Sequence, residues 1–249
     1  MNKNLGAIIL AAGKGKRMQL DSHNKVTLRF GEKTIILHIV HFLKDLDISN
    51  IVVVVGHHRQ SVEDALLGED IIFAEQKEQL GTGDALSFGL KELPTEITDV
   101  LVTYGDDIFL HSKKNVPTIN SLLKLHKDKG NAITFLTVEF DNPIGLGRIV
   151  RGSDGKILEI IEEKDATESQ KKIKEINPGC FIFSIEFLKK YISKLKKSTV
   201  TGEYYLTNLI DLAIKDNEKV DTLAAGNITW RGINTKEELQ EAERLYYGK

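Results

Sequence analysis

The chain has 249 residues, 41% of them hydrophobic and 28% charged, the balance of a soluble globular protein long enough to bury a full core. A formal net charge of −2 and an isoelectric point near 6.4 give no global basic field of the kind nonspecific nucleic-acid binders use. No run approaches the roughly 20 apolar residues of a spanning helix, so neither nucleic acid nor membrane is expected as a partner.

Lys3 followed by an apolar run to Ala12 has the look of a short signal peptide. The run ends in Lys14, Lys16 and Arg17 rather than in a small-residue cleavage site, and reads as a buried first strand. The single cysteine, Cys180, can form no intrachain disulfide, reads as a buried inert thiol, and fits a cytoplasmic protein.

In chain order, apolar β-branched runs predict strands at 6–11, 50–56, 71–76 and 99–107. Helical patterns fall between them at 35–46, 62–68 and 84–93. This alternation implies βαβ units and an α/β fold, Rossmann-like, with helices on both faces of a mostly parallel central sheet. Beyond Asp107 the pattern loosens, with strands expected within 131–140, 147–152, 156–165 and 179–184, and a hairpin at the Asp-Gly pair of 150–157. Helices are expected around 185–195, across 202–216 and over 235–249, the last capped by Thr235 with Glu238 three residues on. The polar stretch 164–176 reads as an exposed loop or short helix, a solvated face. The composition shows no linker, so one domain spans 1–249, in two halves of different pattern, 1–110 and 111–249.

The stretch Leu10-Ala-Ala-Gly-Lys-Gly-Lys-Arg-Met18 leaves the first strand through glycines and cations. It fails the dinucleotide fingerprint, because Met18 stands where the third glycine belongs, and it fails the P-loop spacing. What is left is a loop at the carboxyl end of a strand, where open α/β sheets bind ligands. Glycine N–H groups and mobile cations suit a polyphosphate; a solvated basic turn is the alternative.

These residues, with Asn24-Lys25-Val26, resemble the signature L-A-G/A-G-x-G-T-R-(M/L)…P-K of the sugar-1-phosphate nucleotidyltransferases. The segments AEQKEQLGTGDA (74–85), LVTYGDD (101–107), GLGRIV (145–150), EEKDAT (162–167), KEINPGCFIF (174–183) and GEYYLTNLI (202–210) follow in the family's order and narrow the resemblance. It is then to the N-acetylglucosamine-1-phosphate uridylyltransferases, the pyrophosphorylase half of a bifunctional bacterial enzyme. No hexapeptide repeat of that enzyme's left-handed β-helix acetyltransferase domain occurs, so acetyl transfer is not expected. Oligomeric state is left open.

The resemblance implies attack by a sugar 1-phosphate, N-acetylglucosamine 1-phosphate, on the α-phosphorus of UTP. Positioning and charge neutralisation carry such a reaction. Arg17 and Lys25 would hold the triphosphate, while Asp106 and Asn234 would hold Mg²⁺. The base would be read by Gln76, Gln79 and the turn at Gly81 and Thr82, together with backbone from Leu10, Ala11, Ala12 and Gly13. The sugar would meet Tyr104, Gly147, Glu162, Asn177, Tyr204 and Thr207. Surface lysine, arginine and glutamine are the bland alternative for several of these positions.

Departures from the pattern are Asn177-Pro-Gly179 for the usual N-T-G, Arg231-Gly-Ile-Asn234 behind Trp230 for the usual E-G-V-N, and Asp107 for an apolar residue. Asp107 is read as a solvated neighbour, since successive strand residues point to opposite sides. His57 and His58 read as a solvated turn. Two rival readings are the same chemistry with another sugar phosphate or nucleotide, such as glucose 1-phosphate or dTTP, and a non-catalytic nucleotide-sugar sensor.

Overall fold

The computed structural model describes residues 4–15, 18, 20–108, 110–226, 233 and 235–247. Its first half is a parallel sheet built from β1 (Leu5–Leu10), β4 (Asn50–Val55), β5 (Ile72–Glu75) and β6 (Asp99–Tyr104), in the order β5-β4-β1-β6. Leu10 lies between Val54 and Tyr104 in register, so β1, β4 and β6 end level at one edge of the sheet. The connections are α1 (Ile35–Asp45), α2 (Arg59–Ala65) and α3 (Thr82–Glu92). A small hairpin of β2 (Arg29–Phe30) and β3 (Lys33–Thr34) precedes α1.

The sheet continues into the second half and becomes mixed there. β11 (Cys180–Ser184) runs antiparallel to β6 and to β7 (Ile133–Glu139), while β12 (Val220–Ala224) runs parallel to β7. β8 (Arg148–Arg151) and β9 (Ile157–Ile161) form the expected hairpin, tied to β7 through β10 (Glu175–Ile176). The mostly parallel arrangement therefore belongs to the centre and the first half; antiparallel pairing enters with β11.

Alternation along the buried strands divides the core into two layers. Ile9, Val53 and Leu101 pack with Ile36, Ile39 and Leu43 of α1 on one face, joined by Ile119 and Leu122 of α4 (Val116–Lys129). Ile8, Val52 and Val102 pack on the other face with Leu86 of α3, Leu188 of α5 (Ile185–Tyr191) and Leu209 of α6 (Asn208–Lys215). Each fully buried aliphatic side chain of this kind contributes on the order of 1.5–3 kcal/mol. Cys180 lies in the first layer, 1% exposed, where burial raises its thiol pKa and keeps it inert as expected.

Two expectations are corrected. The helix anticipated across 202–216 begins only at Asn208, because Tyr204 pairs as a β-bridge with Lys197 and its backbone is committed to another chain segment. Asp107 is not solvated: it is 2% exposed, and its Oδ1 accepts from the Leu110 N–H at 3.0 Å. Its carbonyl oxygen also takes His111 Nδ1, and burial lowers the His111 pKa to about 4. The turn after the strand thus folds Asp107 inward instead of continuing the alternation.

The closing helix α7 (Lys236–Tyr247) has the reciprocal cap its sequence suggests. Thr235 N donates to Glu238 Oε2, and Glu238 N to Thr235 Oγ1, both at 3.1 Å. Its Tyr246 and Tyr247 rings cover Phe30, fastening the end of the chain to the first hairpin.

Candidate active site

A cleft of about 610 Å³ opens over the carboxyl ends of β1 and β6. The glycine loop forms one wall, and an asparagine organises it. Asn24 is 3% exposed; its Nδ2 donates to the carbonyls of Ala11 at 3.0 Å, Gly13 at 3.2 Å and His57 at 2.9 Å. Its Oδ1 accepts from Val26 N at 3.2 Å, capping the helical turn Lys25–Thr27. One side chain therefore ties the loop after β1 and the loop after β4 to the turn that presents Lys25.

Lys25 Nζ is paired with Asp106 Oδ2 at the cleft floor, the side chains 18% and 19% exposed. Gly105 holds Asp106 close to β1: Gly105 N donates to Leu10 O at 3.0 Å, and a Cβ there would lie 3.2 Å from Val26 Cγ1. Ile233 N reaches the Asp106 carbonyl at 3.4 Å. Arg17, Asn234, Trp230 and Arg231 lie outside the described residues.

The opposite wall is the Leu80–Gly83 turn. Tyr204 N donates to Leu80 O and Gly83 N to Tyr204 O, both at 2.8 Å. Gly81 has φ +114°, and a Cβ there would come within 2.4 Å of Tyr204 O, so only glycine permits the clamp. Tyr204 thus serves the site through its backbone, while Lys197 lies over its ring. Thr82 Oγ1 accepts from Leu206 N at 3.0 Å, fixing the same segment. Gln76, Gln79, Gly81 and Thr82 line the cleft together with Leu10, Ala11, Ala12 and Gly13, and Lys25, Tyr104 and Asp106 share it.

Beside this cleft the remaining positions expected from the resemblance to meet the sugar form a cluster. Thr207 occupies the N-cap of α6 but makes no capping bond; its hydroxyl donates instead to Glu162 Oε1 at 2.9 Å. Burial raises the Glu162 pKa, and the Thr207 bond opposes that shift. A Cβ on Gly147 would lie 3.5 Å from Glu162 Oε1, and Gly147 O accepts from Asn177 N at 3.2 Å. Asn177 Oδ1 accepts from Gly179 N at 2.9 Å; Gly179, at φ +89°, lies flush against the Tyr104 ring. Burial, then the charges of Glu162 and Asp106, push the Tyr104 pKa up.

Sequence reasoning missed several cleft residues. Lys164, Gly145 and Glu203 line the mouth, Lys164 within a stretch read as solvated surface. Arg148 is 1% exposed, pairs with Glu163 at 2.6 Å and anchors the loop behind Gly147. Lys164 and Arg148 lie in the segments EEKDAT and GLGRIV that carry the family resemblance, but no role is assigned to them there. His57 and His58 form a turn as expected, with rings 3.9 Å apart; burial, His58 and Lys14 lower the His57 pKa.

An α/β sheet with a glycine loop, a carboxylate and a lysine converging on a cleft at its carboxyl edge has the architecture in which open α/β sheets bind ligands. Residues 6–247 match the nucleotidyl transferase family, and the chain belongs to it. It is 38% identical over 246 residues to the bifunctional protein GlmU of Caldicellulosiruptor saccharolyticus, covering 98% of this chain and 52% of the relative. With GlmU of Syntrophomonas wolfei the identity is 40% over 242 residues, 97% of this chain and 53% of that one. The chain thus spans about half the length of these relatives.

Among solved structures, a Bacillus anthracis protein assigned as a glucose-1-phosphate thymidylyltransferase superposes with TM-score 0.78 at 24% identity, over 97% of this chain and 94% of that one. The inositol-1-phosphate CTP transferase of T. maritima gives 0.76 at 18%, over 98% and 95%. Both share the fold. No described helix is long and apolar enough to cross a membrane.

Proposed function

We propose that the protein transfers uridylyl from UTP to N-acetylglucosamine 1-phosphate, releasing pyrophosphate. The observation that carries this reading is the Lys25–Asp106 pair on the floor of a cleft flanked by Gln76 on one side and the Glu162–Thr207 cluster on the other. The 35–40% identity to GlmU proteins over nearly the whole chain favours this pair of substrates.

A sugar-phosphate oxygen attacks the α-phosphorus; a P–O bond forms there, and the bond to the β-phosphate oxygen breaks as pyrophosphate leaves. No covalent enzyme intermediate is required. Lys25 exchanges its carboxylate partner for the α-phosphate, and Arg17, by resemblance, takes the departing pyrophosphate. Gln76 faces the base, while Glu162, with Asn177 and the Gly147 backbone, accepts and donates to sugar hydroxyls. Tyr104, which lines the cleft and feels the charges of both Glu162 and Asp106, stays a neutral phenol beside the substrates.

Asp106 contributes one hard oxygen to an open polar cleft, and no group of three or more His, Cys, Asp or Glu suited to a metal occurs among the described residues. That donor set fits Mg²⁺, which retains water and phosphate oxygens instead of a full protein cage; Asp106 and, by resemblance, Asn234 would hold it. When bound, Mg²⁺ neutralises phosphate charge as the leaving group departs.

The test is pyrophosphate release with Mg²⁺, crossing UTP, dTTP, CTP and ATP against N-acetylglucosamine, glucose and mannose 1-phosphates. A maximum at UTP with N-acetylglucosamine 1-phosphate is expected. A maximum elsewhere would keep the chemistry and assign a different pocket to Asn177-Pro178 and Trp230-Arg231. No release anywhere in the grid would favour a nucleotide-sugar sensor.

A further inference from the structure

We infer that Asp84 determines which base the cleft accepts, by fixing the orientation of the Gln76 carboxamide. The inference rests on the reading of the cleft as a nucleotide site with Gln76 at the base.

Gln76 follows β5, lines the cleft and is 3% exposed. Its Nε2 donates to Asp84 Oδ2 at 2.7 Å and to the Gly81 carbonyl at 3.1 Å, which occupies both amide protons. Side-chain amides are usually ambiguous between N and O, but here the surroundings decide. A carboxylate and a carbonyl only accept, so the flipped amide would set its oxygen against two acceptors. Gln76 Oε1 takes no hydrogen bond from the described residues, and is left as an acceptor at the cleft wall.

Asp84 is itself firmly placed. It stands in the first turn of α3, where a carboxylate is favoured by the exposed N–H groups, and its backbone carbonyl accepts from Ser87 Oγ at 2.7 Å. The same turn carries Gly81, clamped by Tyr204, so both acceptors that orient Gln76 belong to one rigid segment. A fixed acceptor selects a ring edge that carries an N–H. Uracil and thymine offer N3–H, whereas cytosine presents an acceptor at N3 and leaves two acceptors face to face. Asp84 is therefore a positioning residue for base choice, acting through Gln76.

The experiment measures kcat/KM for UTP and for CTP at saturating sugar 1-phosphate with Mg²⁺, in the wild type and in Asp84→Asn. Calorimetric titration of UTP and CTP into both proteins is run in parallel. An asparagine can pair with Gln76 in either amide orientation, so the UTP/CTP ratio is expected to shrink by roughly tenfold or more. The KM for sugar phosphate is expected to hold. Asp84→Ala, which frees the amide outright, should shrink the ratio likewise, and circular dichroism checks the fold of each variant. A purely structural role would lower both nucleotides together; an unchanged ratio in both variants, or a wild type that binds UTP and CTP equally, overturns the inference. Absence of turnover in the wild type defeats the transferase reading alone, because the binding ratio still decides the role of Asp84.

Discussion

Lys25 and Asp106, 81 positions apart in the chain, form an ion pair on the floor of the cleft. Each of these largely buried charges neutralises the other until a substrate offers something better. In the proposed reaction a triphosphate would supply anionic oxygens for the lysine and, with Mg²⁺, a cation for the carboxylate, so binding would exchange partners without exposing an unpaired buried charge. Asp106→Asn keeps the shape and the hydrogen bond to Lys25 but removes the charge. We predict that pyrophosphate release falls by about a hundredfold to a thousandfold or more, with far-ultraviolet circular dichroism unchanged. A variant as active as the wild type would overturn the proposed role of Asp106 as a Mg²⁺ ligand.

Thr207 diverts its hydroxyl from capping α6 to Glu162, which burial pushes toward protonation. In the proposed reaction the ionised Glu162 accepts sugar hydroxyls through both oxygens, so sugar binding weakens as pH falls through its pKa. Thr207→Val removes the bond that favours the ionised form, and the pKa rises further. The acid limb of the kcat/KM profile should therefore move to higher pH. At neutral pH the KM for sugar phosphate should rise by roughly tenfold, with a smaller change in the KM for nucleotide.

Asn24 joins the glycine loop, His57 and the Lys25 turn with bonds from both ends of its carboxamide. Asn24→Ala would strip three carbonyls of a common donor and uncap the turn. Thermal unfolding should shift down by several degrees, consistent with a loss of roughly 2 kcal/mol. Because Lys25 is then less well aimed, kcat should fall by about tenfold or more while the UTP/CTP preference is retained.

What the sequence made legible followed the strength of its local signals. The run GAIILA and the four valines of NIVVVV are buried on both faces, and their ends mark the edge on which the cleft sits. The turn Gly81-Thr82-Gly83 is visible through the family resemblance of AEQKEQLGTGDA, and the structure supplies the reason for its glycine in Tyr204. Helix α4 was not read because SLLKLHKDK carries its apolar residues among lysines, and β12 because VDTLA has neither length nor a strong alternation. Tyr204 looked helical from its neighbours, but a bridge to Lys197 and the clamp on Gly81 are long-range contacts that override propensity. Asn24 and Lys164 fall inside segments that carry the family resemblance, but their own contacts come from the meeting of distant segments.

Asp211, on α6, is a buried carboxyl whose Oδ1 has no partner, with Glu159 nearby; burial first, then that charge, pushes its pKa up to about 7. An unfolded aspartate ionises near pH 3.9. Between about pH 4 and 7 the native chain therefore holds a proton that the unfolded chain has released, so stability falls as pH rises across that window and the full cost is present above it. Asp211→Asn is neutral throughout and still accepts the Ile160 N–H. Its advantage over the wild type should be absent below about pH 4, grow through the window, and reach on the order of 2 kcal/mol at pH 8, as read by urea unfolding at each pH. A wild type whose stability relative to Asp211→Asn does not change from pH 4 to 8 would show that Asp211 ionises without cost, with water reaching the carboxyl.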